Sequence, residues 1–182
     1  MGRSSTTFSS NRWGRALVVA TLTFLTAACA PARLSASESP PEDFKSRVER
    51  VMDGDTLSFR VDGRRVVVRL YGIDCPESRQ ESGPEATGFV RRFVADEMLR
   101  VEAAYYDQYG RVVGRVLKGE QCLNEALVAA GYAWVWDRYC TRASLCDEWR
   151  RLESKARREG RGLWAHPHPV APWRWRRLNP RR

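Results

Sequence analysis

The chain has 182 residues, of which 43% are hydrophobic and 29% charged, with a formal net charge of +9, five cysteines and two histidines. That length leaves room for one domain with a core of its own and little beyond it. The basic balance favours partners that carry phosphate, but charge alone does not separate nucleic acid from anionic lipid or from a solvated basic face.

Residues 1–28 read as an export signal. Arg3, Arg12 and Arg15 make a basic start, and the run from Ala16 to Ala28 is apolar and uncharged. It is shorter than the ~20 residues that span a bilayer and ends in small residues, which favours a signal over a membrane helix. Leu25-Thr26-Ala27-Ala28-Cys29 resembles a bacterial lipoprotein box with Thr26 where leucine is usual. The expectation is a lipidated Cys29, with a simply cleaved peptide as the alternative. Residues 29–43, rich in Pro, Ser and Ala, read as a linker. Without the three leader arginines the remainder is near +6, and most of its cations are arginine, which suits bidentate contact with phosphate.

From Ser46 the pattern alternates as strands do. Leu57, Phe59 and Val61 share one face, Asp62-Gly63 is a hairpin turn, and Val66, Val68 and Leu70 return on one face with Arg69 on the other. Pro84 opens a helix whose apolar stripe runs Ala86, Phe89, Val90, Phe93, Val94 and Met98. Two strands, Leu99 to Tyr106 and Val112 to Leu117, flank a turn at Asp107–Arg111. A second helix covers Leu123 to Ala130 and stops at Gly131. A third begins near Ser144, turns Leu145, Trp149, Leu152 and Ala156 inward, and ends near Gly160. The fold class is α+β: five strands able to close into an OB-type barrel, with three helices, over residues 44–165. Residues 166–182 form a basic Trp-, Arg- and Pro-rich tail whose place the sequence leaves open. Trp134, Trp136 and Trp149 read as packing residues before base-stacking platforms.

Four cysteines follow the leader. An even number in an exported chain suggests disulfides; Cys140 and Cys146 form the expected pair, and Cys75 with Cys122 a candidate second. Zinc is disfavoured, because there is no Cys-x-x-Cys and His166 and His168 lie in the tail.

The chemistry concentrates between Asp53 and Glu77. Asp53-Gly54-Asp55-Thr56, Arg69 on its strand, and Asp74-Cys75-Pro76-Glu77 bring acidic turns and a guanidinium into one region. Clustered carboxylates suit a hard cation such as Ca²⁺, and a guanidinium suits a phosphodiester whose charge grows during attack. Asp107-Gln108-Tyr109-Gly110-Arg111 supplies a second arginine on a turn. Taken one at a time, each of these reads as an ordinary turn or exposed ladder residue; the set reads as a site.

Asp-Gly-Asp-Thr, Arg-Leu…Asp-x-Pro-Glu, Asp-x-Tyr-Gly-Arg, Asn-Glu-Ala-Leu and Gly-Leu-Trp follow one another from about residue 47 to 164. In this order they resemble the staphylococcal nuclease (thermonuclease) family. The resemblance implies an OB barrel with three helices and Ca²⁺ as cofactor, held by Asp55, Asp74 and the backbone carbonyl of Cys75. It makes Glu77 the general base or the residue that orients water, and makes Arg69 and Arg111 the phosphate-stabilising cations. Asp53 becomes a supporting carboxylate, and Thr56 and Tyr109 orient ligands or substrate. The implied reaction is cleavage of DNA or RNA to 3′-phosphate ends. Two positions depart from the best-known members: Cys75 stands where they have threonine, and Gln108 where they have lysine. The expected protein is a monomeric nuclease in the periplasm, on the cell surface or outside the cell. The alternative is a non-catalytic OB module that binds nucleic acid or a partner.

Overall fold

The computed structural model describes residues 41–180. Cys29 and the segment read as an export signal lie outside the described residues.

The chain enters through β1 (Phe44–Ser46) and β2 (Val48–Val51), and continues through β3 (Thr56–Val61), β4 (Arg64–Leu70) and the two-residue β5 (Ile73–Asp74). Helix α1 (Gly83–Val94) precedes β6 (Leu99–Tyr106), β7 (Val112–Lys118) and β8 (Gln121–Cys122). Helix α2 (Leu123–Ala129), β9 (Trp134–Val135), α3 (Ala143–Arg158), a 3₁₀ turn (Gly162–Ala165) and α4 (Pro172–Leu178) complete it.

The main sheet runs β1-β6-β7-β4-β3-β2, with β8 on β7, while β5 pairs separately with β9. Its two outer members, β1 and β2, are separated in the chain by Arg47 alone. A sheet whose edges are joined by one residue has to curl until they meet, and this closes the OB barrel. Across the closure Ser46 donates to the carbonyl of Arg60 at 2.9 Å, and the Phe44 and Phe59 rings meet edge-on at 5.5 Å. Counting β1 and β2 as one bent strand, the barrel has the five strands expected from the sequence. The bridges β5, β8 and β9 are too short to show any periodicity.

The hydrophobic alternation sets the core. Leu57 and Phe59 pair with Val68 and Val66 across the β3–β4 hairpin, and Leu57, Phe59, Val68 and Leu70 are buried inside. Helix α1 adds Ala86, Val90 and Val94, and α3 adds Trp149, all buried. The Tyr71 hydroxyl accepts the backbone N–H groups of Thr141 and Arg142 at 2.8 and 2.9 Å, which ties the end of β4 to the start of α3. Asn124 closes a second tie: its amide donates to the carbonyl of Tyr71 at 3.0 Å and its oxygen accepts from Val116 at 3.2 Å. The Asn-Glu-Ala-Leu motif thus contributes a buried bracket between α2 and the barrel.

Three expectations change. Met98 does not belong to the α1 stripe: the helix ends at Val94, Asp96 takes a left-handed φ of 55°, and Met98 is exposed. The described residues contain four α-helices, because the Pro-rich tail forms α4. Cys140 and Cys146 are bonded, but Cys75 and Cys122 are separate buried thiols, so the second disulfide is not formed. Burial pushes the Cys75 thiol well above its usual pKa, and it donates to the carbonyl of Gly54 at 3.2 Å.

Candidate active site

Strands β3, β4 and β5 place the acidic turns and the strand arginine together. Asp55 precedes β3, Arg69 is the register partner of Thr56 across the hairpin, and Asp74 ends β5. The turn before β3 is shaped by Asp53, whose Oδ1 accepts the N–H of Asp55 at 3.0 Å. The carbonyl of Asp55 accepts from Leu70 at 2.8 Å, which fixes the turn against the strand that carries Arg69.

Asp55 and Asp74 are among the most buried polar residues of the chain, at 2% and 0% exposure. Buried carboxylates persist only when their charge is answered. Arg69 answers both, one terminal nitrogen bonding Asp55 Oδ1 and the other Asp74 Oδ1 at 2.5 Å. Asp55 is further held by the N–H of Cys75 on Oδ2 at 2.7 Å and by the Thr56 hydroxyl on Oδ1 at 3.2 Å. Close packing enforces this approach: a Cβ on Gly54 would sit 2.7 Å from Cys75 Cβ.

Glu77 follows on the loop after β5, and its carbonyl abuts the start of α1. A Cβ on Gly83 would lie 1.9 Å from that oxygen, so only glycine fits there. The Glu77 carboxylate meets Arg176 of α4 at 2.9 Å. The same guanidinium reaches Asp74, giving Nη1 to Oδ1 at 3.2 Å and Nη2 to Oδ2 at 2.9 Å. Arg176 was not read as a site residue from the sequence. The signal available was its spacing: Pro172 opens a short helix, and Trp173 and Arg176 stand three residues apart on one face. Trp173 stacks on Trp136, with centroids 5.4 Å apart and planes at 12°, and meets Trp134 edge-on at 5.7 Å. Both tryptophans therefore pack against the tail, and Trp149 is fully buried.

Arg111 stands apart from this cluster. It opens onto β7, where Val113 pairs with Arg69, but its guanidinium is held by Asp107, with Nε at 2.8 Å from Oδ2. Burial works to raise the pKa of Asp107, but the N–H groups of Arg111 and Tyr109 and the Arg111 guanidinium outweigh it and hold the carboxyl below its ordinary value. Tyr109 is exposed, and its ring lies 5.4 Å from the Arg111 guanidinium carbon. A cleft of about 1140 Å³ opens beside the cluster, lined by Glu77, Arg79, Trp175 and Arg176 among others.

Among the described residues no group of three or more His, Cys, Asp or Glu side chains is gathered to hold a metal. The donor chemistry nevertheless fits Ca²⁺: two buried carboxylates stand close enough to share the Arg69 guanidinium, and paired carboxylates suit this ion. Further ligands would come from backbone carbonyls and water, as is common for this ion.

Residues 67–166 match the sequence model of the family described as staphylococcal nuclease homologue. That span includes Arg69, Asp74, Glu77 and Arg111 and stops short of Arg176. The chain is 38% identical over 135 residues to an uncharacterized endonuclease of Escherichia coli, covering 74% of this chain and 86% of that protein. It is 37% identical over 162 residues to the E. coli protein ParB, covering 84% and 90%. A micrococcal nuclease of Shigella flexneri is 33% identical over 146 residues, covering 75% and 83%. With an OB barrel that gathers the motif residues in space and a match over more than half its length, the chain belongs to the staphylococcal nuclease family.

Proposed function

We propose that the protein is an exported, Ca²⁺-dependent nuclease that hydrolyses phosphodiester bonds of DNA or RNA to 3′-phosphate ends. The observation that carries the reading is the pair of buried carboxylates, Asp55 and Asp74, bridged by the Arg69 guanidinium with Glu77 three residues further on. A buried acid pair facing a cation is costly to keep as mere structure, and it is what a hard metal and an anionic substrate require. Membership of the nuclease family and the names of the relatives support the same reaction.

In this mechanism Asp55 and Asp74 hold the ion, with Thr56 and Asp53 fixing Asp55. Bound there, Ca²⁺ supplies positive charge to the phosphoryl oxygens. Glu77, on the wall of the cleft, takes a proton from the attacking water or orients it. Arg69 lies beside the metal carboxylates, and its fork of donors suits a phosphoryl oxygen. Arg111 comes to the substrate from the turn before β7, its Asp107 pair keeping it extended until a phosphate competes. These cations act on charge that grows in the transition state. Export, whether with a lipidated Cys29 or as a free protein in the periplasm or outside the cell, is part of the proposal. A monomeric state is proposed with it.

The test is cleavage of single- and double-stranded DNA and of RNA by the purified protein, with Ca²⁺ and with a chelator, followed by analysis of product ends. Ca²⁺-dependent cleavage leaving 3′-phosphates is expected. Nucleic-acid binding without cleavage in Ca²⁺ would replace the nuclease with a non-catalytic OB binding module.

A further inference from the structure

Arg176 lies outside the family-matched segment, yet it bonds the carboxylates of Asp74 and Glu77 in the site. We propose that Arg176, delivered by α4, is a further active-site residue that competes with the bound cation for Asp74 and thereby sets the affinity of the site for it. The inference rests on the Ca²⁺ reading above.

The argument is one of lone pairs. A carboxylate offers about four acceptor positions on its two oxygens. On Asp74, Oδ1 takes Arg69 Nη2 and Arg176 Nη1, and Oδ2 takes Arg176 Nη2. The side chain is fully covered in this arrangement. With three of about four positions taken and no part of the side chain open to solvent, a cation that reaches Asp74 has to displace a guanidinium.

Of the two, Arg176 is the one that yields. Arg69 is part of a barrel strand, bonds Asp55 as well, and has a side chain 16% exposed. Arg176 sits on a seven-residue helix and is 35% exposed. That helix is held from outside the barrel, by the Trp173–Trp136 stack and by the preceding segment, where Gln80 donates to the carbonyl of Val170 at 2.5 Å. Released from Asp74, the guanidinium still lines the cleft beside Glu77, where anionic substrate would pass.

Charge points the same way. Asp55, Asp74 and Glu77 face Arg69 and Arg176, and removing Arg176 takes one positive charge from beside Asp74 and Glu77 and leaves a more negative cluster. Such a cluster attracts a divalent ion more strongly and is less stable without one.

The test is calorimetric titration of the metal-stripped full chain with Ca²⁺ alone, with thermal melting in chelator and in Ca²⁺. Arg176→Gln should bind Ca²⁺ about tenfold tighter than the wild type, melt lower in chelator, and gain more from Ca²⁺. Arg176→Lys, which keeps the charge and loses the fork, should fall between them. Trp173→Ala, which loosens the helix and leaves the carboxylates untouched, should shift affinity in the same direction by less. Unchanged or weaker Ca²⁺ binding in a folded Arg176→Gln would overturn the proposal and leave Arg176 as a structural counter-ion. Absence of Ca²⁺ binding in all four proteins would overturn it together with the Ca²⁺ reading. Tight wild-type binding unaffected by Arg176 overturns the proposal alone.

Discussion

Arg69 is shared by two carboxylates that water barely reaches, so its loss has two separable consequences. Arg69→Met leaves Asp55 without its charged partner and Asp74 with Arg176 only. Breaking a buried ion pair from one side costs on the order of 3–5 kcal/mol, and this should appear in urea unfolding in chelator. Single-turnover cleavage should fall by about 10²–10³, the usual loss when one electrostatic stabiliser is removed, with a smaller change in oligonucleotide binding. Asp107 yields a pH prediction. Its folded pKa is depressed, so its contribution is present above the unfolded value of about 3.9 and is lost as pH falls through the folded value. Asp107→Asn should therefore unfold in urea with a flatter dependence on pH below about 4 than the wild type. An unchanged slope would show that the turn around Arg111 is held by other means.

At the scale of elements, the position of Glu77 depends on how α1 begins. Gly83 touches the Glu77 carbonyl so closely that Gly83→Ala must move the loop, the helix or both. Overpacking of this kind costs about 1–3 kcal/mol. Because the displaced group carries the carboxylate proposed as the base, kcat should fall more than stability alone accounts for at a temperature where the variant is folded. Elements with strong local signals were legible in the sequence. Asp62-Gly63 fixed the β3–β4 hairpin, and with it the face on which Arg69 stands. The end of α1 was not legible, because Met98 continues the helical spacing while the chain has already turned at Asp96. The β5–β9 bridge was invisible for a different reason. Two residues show no period, and their pairing of Ile73 with Val135 depends on the whole fold.

Across the whole molecule, the site is assembled from one hairpin early in the barrel, the loop after it, and a helix beyond the barrel. Order and spacing of the motifs revealed Asp55, Arg69, Asp74 and Glu77, because these residues lie within one hairpin and the loop after it. Arg176 was hidden: its partners lie about a hundred residues away, and the short helical spacing of the tail says nothing of where it docks. Docking of Trp173 on Trp136 and Trp134, with the Gln80–Val170 bond, brings it in. Cysteine parity misled for a related reason, since an even number of thiols says nothing of distance, and Cys75 is spent on packing against Gly54. The central claim is that this assembly is catalytic and that Glu77 performs the proton chemistry. Glu77→Gln keeps the shape and an acceptor for Arg176 while removing the base. Its single-turnover rate on an oligonucleotide in saturating Ca²⁺, beside that of the wild type, is the most direct measurement. The account predicts a loss of about 10²–10⁴ with little change in oligonucleotide affinity; cleavage by Glu77→Gln at the wild-type rate would contradict it.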